Sequence, residues 1–277
     1  MNKLEIVSSG LSILSKSFAW VKSLFWKSNN ILYINENKKV TDLWQIQRHQ
    51  SLAGYHTVRV RHNTKLGFKN AQLHFLHMKK ALCEILRNLT ENPNLIYTGF
   101  VSTPFAAFDG YCLGDNEKII FYDNNKATNE SYKISLDKAK RPEKKIFEIT
   151  EGAEEVCLVL CCSFDINPNC CKPNIPQYVF AKKSGEEVSS EYLKEVFYFV
   201  NDFLDECRDK RVQIVHLYLS ARQPISFVVG TAIQSHHPLV RAYEFESGKY
   251  TWAVDIQSGK LIMKGAQDER NTSKTSR

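Results

Sequence analysis

Residues 95–134, LIYTGFVSTPFAAFDGYCLGDNEKIIFYDNNKATNESYKI, decide the reading of this chain, because residues 214–256, IVHLYLSARQPISFVVGTAIQSHHPLVRAYEFESGKYTWAVDI, repeat their plan. Each stretch opens with a short apolar run, turns through polar residues into Pro-x5-Gly, and continues to a strand-like run with an aromatic and then to a further Tyr. Pro104 precedes Gly110 by the same interval as Pro224 precedes Gly230. Tyr122 and Tyr243, and then Tyr132 and Tyr250, follow at nearly equal spacing. Two copies of one α/β unit in a single chain imply a pseudo-two-fold axis, and the ligand suited to such a seam is itself roughly symmetric.

Working outward, residues 55–62 (YHTVRVRH) alternate as a strand does, and residues 70–89 carry Leu73, Leu76, Leu82, Ile85, Leu86 and Leu89 at helical spacing. Residues 95–101 and 118–123 are short strands, with Ser102 and Thr103 offering a capping hydroxyl and Pro104 a first helical position between them. After a charged stretch at 137–145 the order returns. Residues 156–164 (VCLVLCCSF) are a continuous apolar run, as a strand covered on both faces requires. Residues 167–185, rich in Pro, Asn and Lys, are expected to be a loop; Ser189 or Ser190 caps the next helix, and 212–219 is another buried strand. The alternation predicts an α/β fold of two fused Rossmann-like units with mostly parallel sheets related by the pseudo-two-fold. The expected divisions are an N-terminal amphipathic and basic segment at 1–49, a first unit at 50–140, a second at 141–263 and a disordered tail at 264–277.

The 277 residues carry a formal charge of +7, placed unevenly: residues 1–80 hold 13 Lys and Arg against 3 Asp and Glu, and the remainder is close to neutral. The N-terminal third therefore faces an anionic partner or is a solvated basic face. Residues 11–26 place Leu14, Phe18, Val21, Leu24 and Phe25 on one helical face, which docks on protein or on a membrane surface. They are too short and too interrupted by Lys16 and Lys22 to span a bilayer. The eight cysteines fall largely in apolar runs and lack C-x2-C spacing, which points to a reducing cytoplasm and to no zinc site.

In a doubly wound sheet, ligands bind beyond the carboxyl ends of the strands, where helix N-termini present unpaired N–H groups. Those positions hold Ser102, Thr103 and Pro104 in the first unit and Ser220, Arg222 and Gln223 in the second, with Ser163 and Phe164 at the same edge. Tyr243 and Trp252 are candidates for stacking on a base, or core aromatics. No G-x-G-x-x-G, Walker motif or G-x-S-x-G is present, and His236-His237 lies in a turn without a carboxylate at fixed spacing. With no catalytic constellation, no cofactor motif and no metal motif, the chain reads as a binding protein.

Residues 216–256, with HLYLSARQPISFVVGTAI and LVRAYEFESGKYTWAVDI, resemble the SAVED domain, a fusion of two CARF-like units found in bacterial antiviral systems. The pattern extends over residues 50–263, more loosely in the first half. The resemblance implies a cytoplasmic sensor for a cyclic oligonucleotide second messenger containing adenine, made in CBASS operons or by type III CRISPR complexes. It also implies a homo-oligomer on ligand binding, and no direct DNA binding. The site it implies is Ser102, Thr103, Pro104, Ser163, Phe164, Ser220, Arg222 and Gln223, with Tyr243 and Trp252 nearby. Members are usually fused to an effector; residues 1–49 are too few for an enzymatic one, so a separate effector chain, or a membrane surface met through residues 11–26, is expected. The alternatives are a ring nuclease or other nucleotide-acting Rossmann enzyme, and an interaction subunit that binds no ligand. Arg222→Ala is expected to weaken ligand binding at least about tenfold if Arg222 meets phosphate.

Overall fold

The computed structural model describes residues 30–37, 55–62, 68–88, 94–114, 118–125, 131–136 and 141–263. The amphipathic segment expected at 11–26 and the tail from 264 onward lie outside the described residues. The first unit runs β1 (Asn30–Asn37), β2 (His56–His62), α1 (Phe68–Asn88), β3 (Asn94–Phe100), α2 (Thr103–Leu113), β4 (Lys118–Asn124) and β5 (Ser131–Ser135). The second runs β6 (Glu155–Cys161), β7 (Gln177–Phe180), α3 (Ser190–Asp209), β8 (Ile214–Ser220), α4 (Gln223–Ala232), β9 (Leu239–Glu246), β10 (Lys249–Asp255) and β11 (Lys260–Met263).

The sheets have strand orders β2-β1-β3-β4-β5 and, from the matching edge, β7-β6-β8-β9-β10-β11. The ladders from β2 to β4 and from β7 to β9 are parallel, and β5, β10 and β11 close each sheet antiparallel. Among the described residues, element order and sheet order thus repeat, with a 3-10 turn at Pro168–Cys170 and β11 as additions in the second unit. Two α/β units related by a pseudo-two-fold follow, as the sequence implied.

Beside β5 and β11, which the sequence reading did not assign, two strands fall on residues it placed elsewhere. Residues 30–37, placed by sequence ahead of the first unit, form the strand between β2 and β3. Ile31 to Ile34 are buried on both faces there, which is why this run is apolar without alternation. Residues 177–180, assigned to a loop, pair with β6 as the edge strand β7, its Tyr178 hydroxyl accepting the Thr150 N–H at 2.9 Å. Only Phe180 is buried in β7, so its pattern was too weak to stand out among the surrounding prolines.

The helices of the repeated block explain the repeat. Residues 104–113 of α2 and 224–232 of α4 are all buried, so both helices are apolar all round and lie between the two sheets. Phe227 of α4 packs on Tyr97 and Phe121 of the first sheet, at 4.3 and 5.3 Å between ring centroids. Phe105 of α2 packs on Trp252 of the second at 4.9 Å. The helices touch through their glycines: a Cβ on Gly110 would stand 1.9 Å from the Phe227 carbonyl oxygen, and one on Gly230 would stand 1.8 Å from that of Ala107. Each glycine meets the carbonyl three residues before the other glycine, so the pseudo-two-fold passes through this crossing.

Gly→Ala within an exposed helix ordinarily stabilises by up to about 1 kcal/mol. Here Gly110→Ala and Gly230→Ala are each expected to destabilise by about 3 kcal/mol, because backbone must yield on both sides. Chemical denaturation checks this, and a gain in stability would contradict the crossing.

Candidate functional site

β3 and β8 end beside each other at the seam, and each turns directly into a helix whose N-terminus faces the same edge. Gln223, the first residue of α4, shows how close they are. Its Nε2 donates to the Tyr97 hydroxyl at 3.1 Å and its Oε1 accepts the Val101 N–H at 3.3 Å. Arg222, the N-cap of α4, reaches the first unit as well: its Nε meets the Asp123 carboxylate at 2.8 Å and its side chain is only 10% exposed. Its Nη1 donates to the Glu186 carbonyl at 2.6 Å, and the guanidinium lies 5.8 Å from the Tyr132 ring centroid. Tyr132 donates to Asp123 at 3.0 Å and accepts the Val188 N–H at 2.8 Å, and burial raises its pKa. The segment between β7 and α3 thus straps the second unit onto β4 and β5 of the first.

Beneath the seam lies a buried polar row. Asp109, in the middle of α2, accepts from Tyr33 at 3.1 Å, from Asn35 at 2.8 Å and from Tyr97 at 2.9 Å, and Tyr97 in turn receives Gln223. Burial pushes the Asp109 carboxyl up to about 7 against the pull of these three donors. Burial thus outweighs the three donors, and the acid takes up its proton as pH falls below about 7.

The other predicted residues divide. Ser220 is buried, its Oγ accepting the Phe164 N–H at 2.9 Å and its carbonyl accepting those of Cys162 and Ser163 at 2.9 and 2.8 Å. That clasp ties the end of β6 to the end of β8 and leaves Ser163 exposed and Phe164 59% exposed. Pro104 is buried at the start of α2, and Thr103 is partly exposed beside it. Ser102 is the N-cap of α2, but its side chain makes no capping bond and its Oγ is buried without a partner. The capping hydroxyl read from sequence is therefore not used as one here, in contrast to Ser189, whose side chain accepts the Tyr192 N–H at 3.1 Å.

Tyr243 and Trp252 are not surfaces for stacking. Tyr243 is packed at 4.8 Å on Tyr218, on the face of the second sheet away from the helices, with its hydroxyl 2.8 Å from His216 Nδ1. Trp252 is fully buried between its sheet and Phe105. Sequence reasoning missed Phe100, which ends β3 with 63% of its surface exposed at the same edge as Phe164. Its position, matched by the repeat to Ser220, was the available signal.

Two clusters of titratable groups lie elsewhere. His216 stands between Tyr243 and Glu155, 2.9 Å from the latter, and is itself buried. Asp205, His236 and His237 converge closely enough to hold a cation. His237 Nδ1, however, accepts the Gln234 N–H at 3.0 Å, which leaves the proton on Nε2 facing Asp205 at 3.3 Å, and Arg208 pairs with the same carboxylate at 2.7 Å. Burial holds His237 down to about 4. This arrangement fastens the turn after α4 to α3.

The family model of SAVED, the SMODS-associated and fused to various effectors sensor domain, matches residues 78–256. The chain belongs to the SAVED family. The match begins within α1 of the first unit and ends just after β10 of the second. Among solved structures, the fold is similar to Acinetobacter baumannii Cap4 SAVED/CARF-domain containing receptor with the cyclic trinucleotide 3'3'3'-cAAA, at a TM-score of 0.54 and 12% identity over 80% of this chain and 50% of that one. The same receptor with 2'3'3'-cAAA matches at 0.54 and 15% identity over 80% of this chain and 50% of that one. The Cap4 receptor of Moraxella osloensis matches at 0.50 and 16%, over 82% of this chain and 49% of that one. This SAVED chain spans about half the length of those receptors. No curated protein sequence matches it. Among the described residues no helix is long and apolar enough to cross a membrane.

Two outcomes follow for this seam. Removing Arg222 and Asp123 singly and together is expected to show a coupling of about 1.5 kcal/mol or more in folding stability; additive losses would mean that the pair does not join the units. The raised Asp109 carboxyl disfavours the ionised folded state, so stability falls as pH rises from about 4 toward about 7. Between about pH 5 and pH 7 the wild type is expected to lose about 2 kcal/mol more than Asp109→Asn, and identical pH profiles would contradict the buried acid.

Proposed function

We propose that this chain is a receptor for a cyclic oligonucleotide second messenger, bound across the seam where the N-termini of α2 and α4 meet. The observation that carries the reading is the joining of two equivalent helix N-termini by Gln223, in a chain that belongs to a sensor family. A cyclic oligonucleotide is a ring of repeated phosphates and bases, and a pseudo-symmetric pair of anion-attracting helix ends is complementary to it. Thr103, Arg222 and Gln223 would meet phosphates, with Arg222 exchanging Asp123 for one, while the exposed Phe100 and Phe164 offer faces to bases. The Acinetobacter baumannii Cap4 receptor is solved with cyclic trinucleotides of adenine, which supports an adenine-containing ring here. Disturbing the Arg222–Asp123 clasp would alter how the units sit together, and we take this as the route by which ligand drives homo-oligomer assembly and engages an effector in antiviral defence. The eight free cysteines, seven of them buried, suit a reducing cytoplasm.

Thermal unfolding against cyclic di-, tri- and tetranucleotides tests the reading. A ligand present at about 100 times its dissociation constant adds about 2.7 kcal/mol of stability, so one member of the panel is expected to raise Tm selectively and to shift the sedimentation coefficient. A folded protein indifferent to every member would overturn the receptor reading in favour of an interaction subunit.

A further inference from the structure

The two halves of the seam share a topology and differ in charge. In the first, Asp123 on β4 stands opposite Tyr132 on β5 and takes the guanidinium of Arg222 from the N-cap of α4. The pseudo-two-fold carries Arg222 onto Ser102, the N-cap of α2, and carries Asp123 and Tyr132 onto Glu244 and Trp252, which stand opposite each other on β9 and β10. Trp252 packs on Phe105 in the first turn of α2, and the Phe105 N–H donates to the Ser102 carbonyl at 3.1 Å. The pseudo-two-fold and the Trp252–Phe105 contact therefore place Glu244 and Trp252 toward the end of α2 that Ser102 caps.

What is paired in one half is unpaired in the other. Where Asp123 has Arg222, the partly buried Glu244 has no ion pair and no hydrogen bond among the described residues. The Ser102 Oγ and the Trp252 Nε1 are both buried without partners. Two buried polar groups left without partners, with a carboxyl that has no cation in the same half of the seam, are costly unless something completes them. Burial and the neighbouring Glu246 push Glu244 up to about 8, so near neutral pH it is an acid with one O–H donor and one carbonyl acceptor side by side.

We propose that Glu244, with Ser102, is the base-reading end of the seam, its carboxyl pairing with the edge of a base that carries an exocyclic amine next to a ring nitrogen, as adenine does. The inference rests on the receptor reading and adds a specificity residue to it. A phosphate is a poor occupant, because it offers only acceptors and would leave the carbonyl oxygen of the neutral acid facing an anion. A cation is also a poor one, because the neutral acid offers it no charge and the positive end of α2 opposes it. The amine-and-nitrogen edge satisfies both atoms of the neutral carboxyl without burying a charge.

The test measures dissociation constants of the wild type, Glu244→Ala and Glu244→Gln by calorimetry, with Tm confirming that each variant folds. The probes are 3′3′3′-cyclic triadenylate, the analogue with unsubstituted purine in place of adenine, and cyclic triuridylate. Removing the amine is expected to weaken wild-type binding about tenfold and to cost Glu244→Ala nothing further. Glu244→Gln, whose carboxamide presents the same donor and acceptor, is expected to stay within about threefold of wild type. An equal amine effect in wild type and Glu244→Ala, or a Gln variant as weak as Ala, would overturn the assignment of Glu244. Preference for the triuridylate would overturn it while leaving the receptor reading intact. A wild type that binds no cyclic oligonucleotide of any base would overturn both.

Discussion

Everything in this molecule is arranged around a place where side chains are missing. Gly110 and Gly230 let the backbones of α2 and α4 touch, each glycine against a carbonyl of the other helix. The approach is close enough for Cα–H···O contacts of the kind that recur where helices cross. Two apolar helices in direct contact can each reach past the other: Phe227 lies on the first sheet and Phe105 on the second. The units are therefore joined by interlocking cores, and the helix N-termini are held at one edge by the same crossing. Any side chain at either glycine would push apart both the core and the seam.

The crossing imposes equivalence and the residues around it remove it. At one end of the seam, Arg222, Asp123 and Tyr132 form a clasp between units. At the equivalent end, the Ser102 hydroxyl and the Trp252 indole N–H are buried without partners and the Glu244 carboxyl has no cation. A near-symmetric ring bound across such a seam meets a cation on one side and a neutral acid on the other, which fixes its orientation. The row from Gln223 through Tyr97 to Asp109 then extends from the seam to Tyr33 and Asn35 on β1. Loss of the Gln223 bond on ligand entry would thus be felt at the strand that follows the basic N-terminal stretch in sequence.

Much of this was legible in the sequence because it depends on spacing. The Pro-x5-Gly repeat marks the two helices whose crossing needs glycine, and the continuous run at 156–161 marks a strand covered on both faces. What escaped depends on which face a residue occupies. In a strand, a shift of one residue exchanges the two faces. The ladder between β9 and β10 shifts register between Tyr250 and Trp252, so Trp252 joins the helix-side core while Tyr243 and Tyr250 join the opposite cluster. No spacing rule locates that shift. β1 and β7 escaped for different reasons: the apolar run of β1 is only Ile31 to Ile34, without alternation, and β7 is an edge strand amid turn-forming residues. The Asp123–Arg222 pair joins residues far apart in sequence and has no local signature, and its absence at Glu244 and Ser102 has still less of one.

The central claim is that both helix N-termini serve one ligand, and amide hydrogen exchange with and without a stabilising cyclic oligonucleotide tests it most directly. Ligand is expected to slow exchange together in the first turns of α2 and α4, at residues 103–106 and 223–226, where Pro104 and Pro224 contribute no amide. Protection confined to one of the two turns, or found only away from both, would contradict a shared seam.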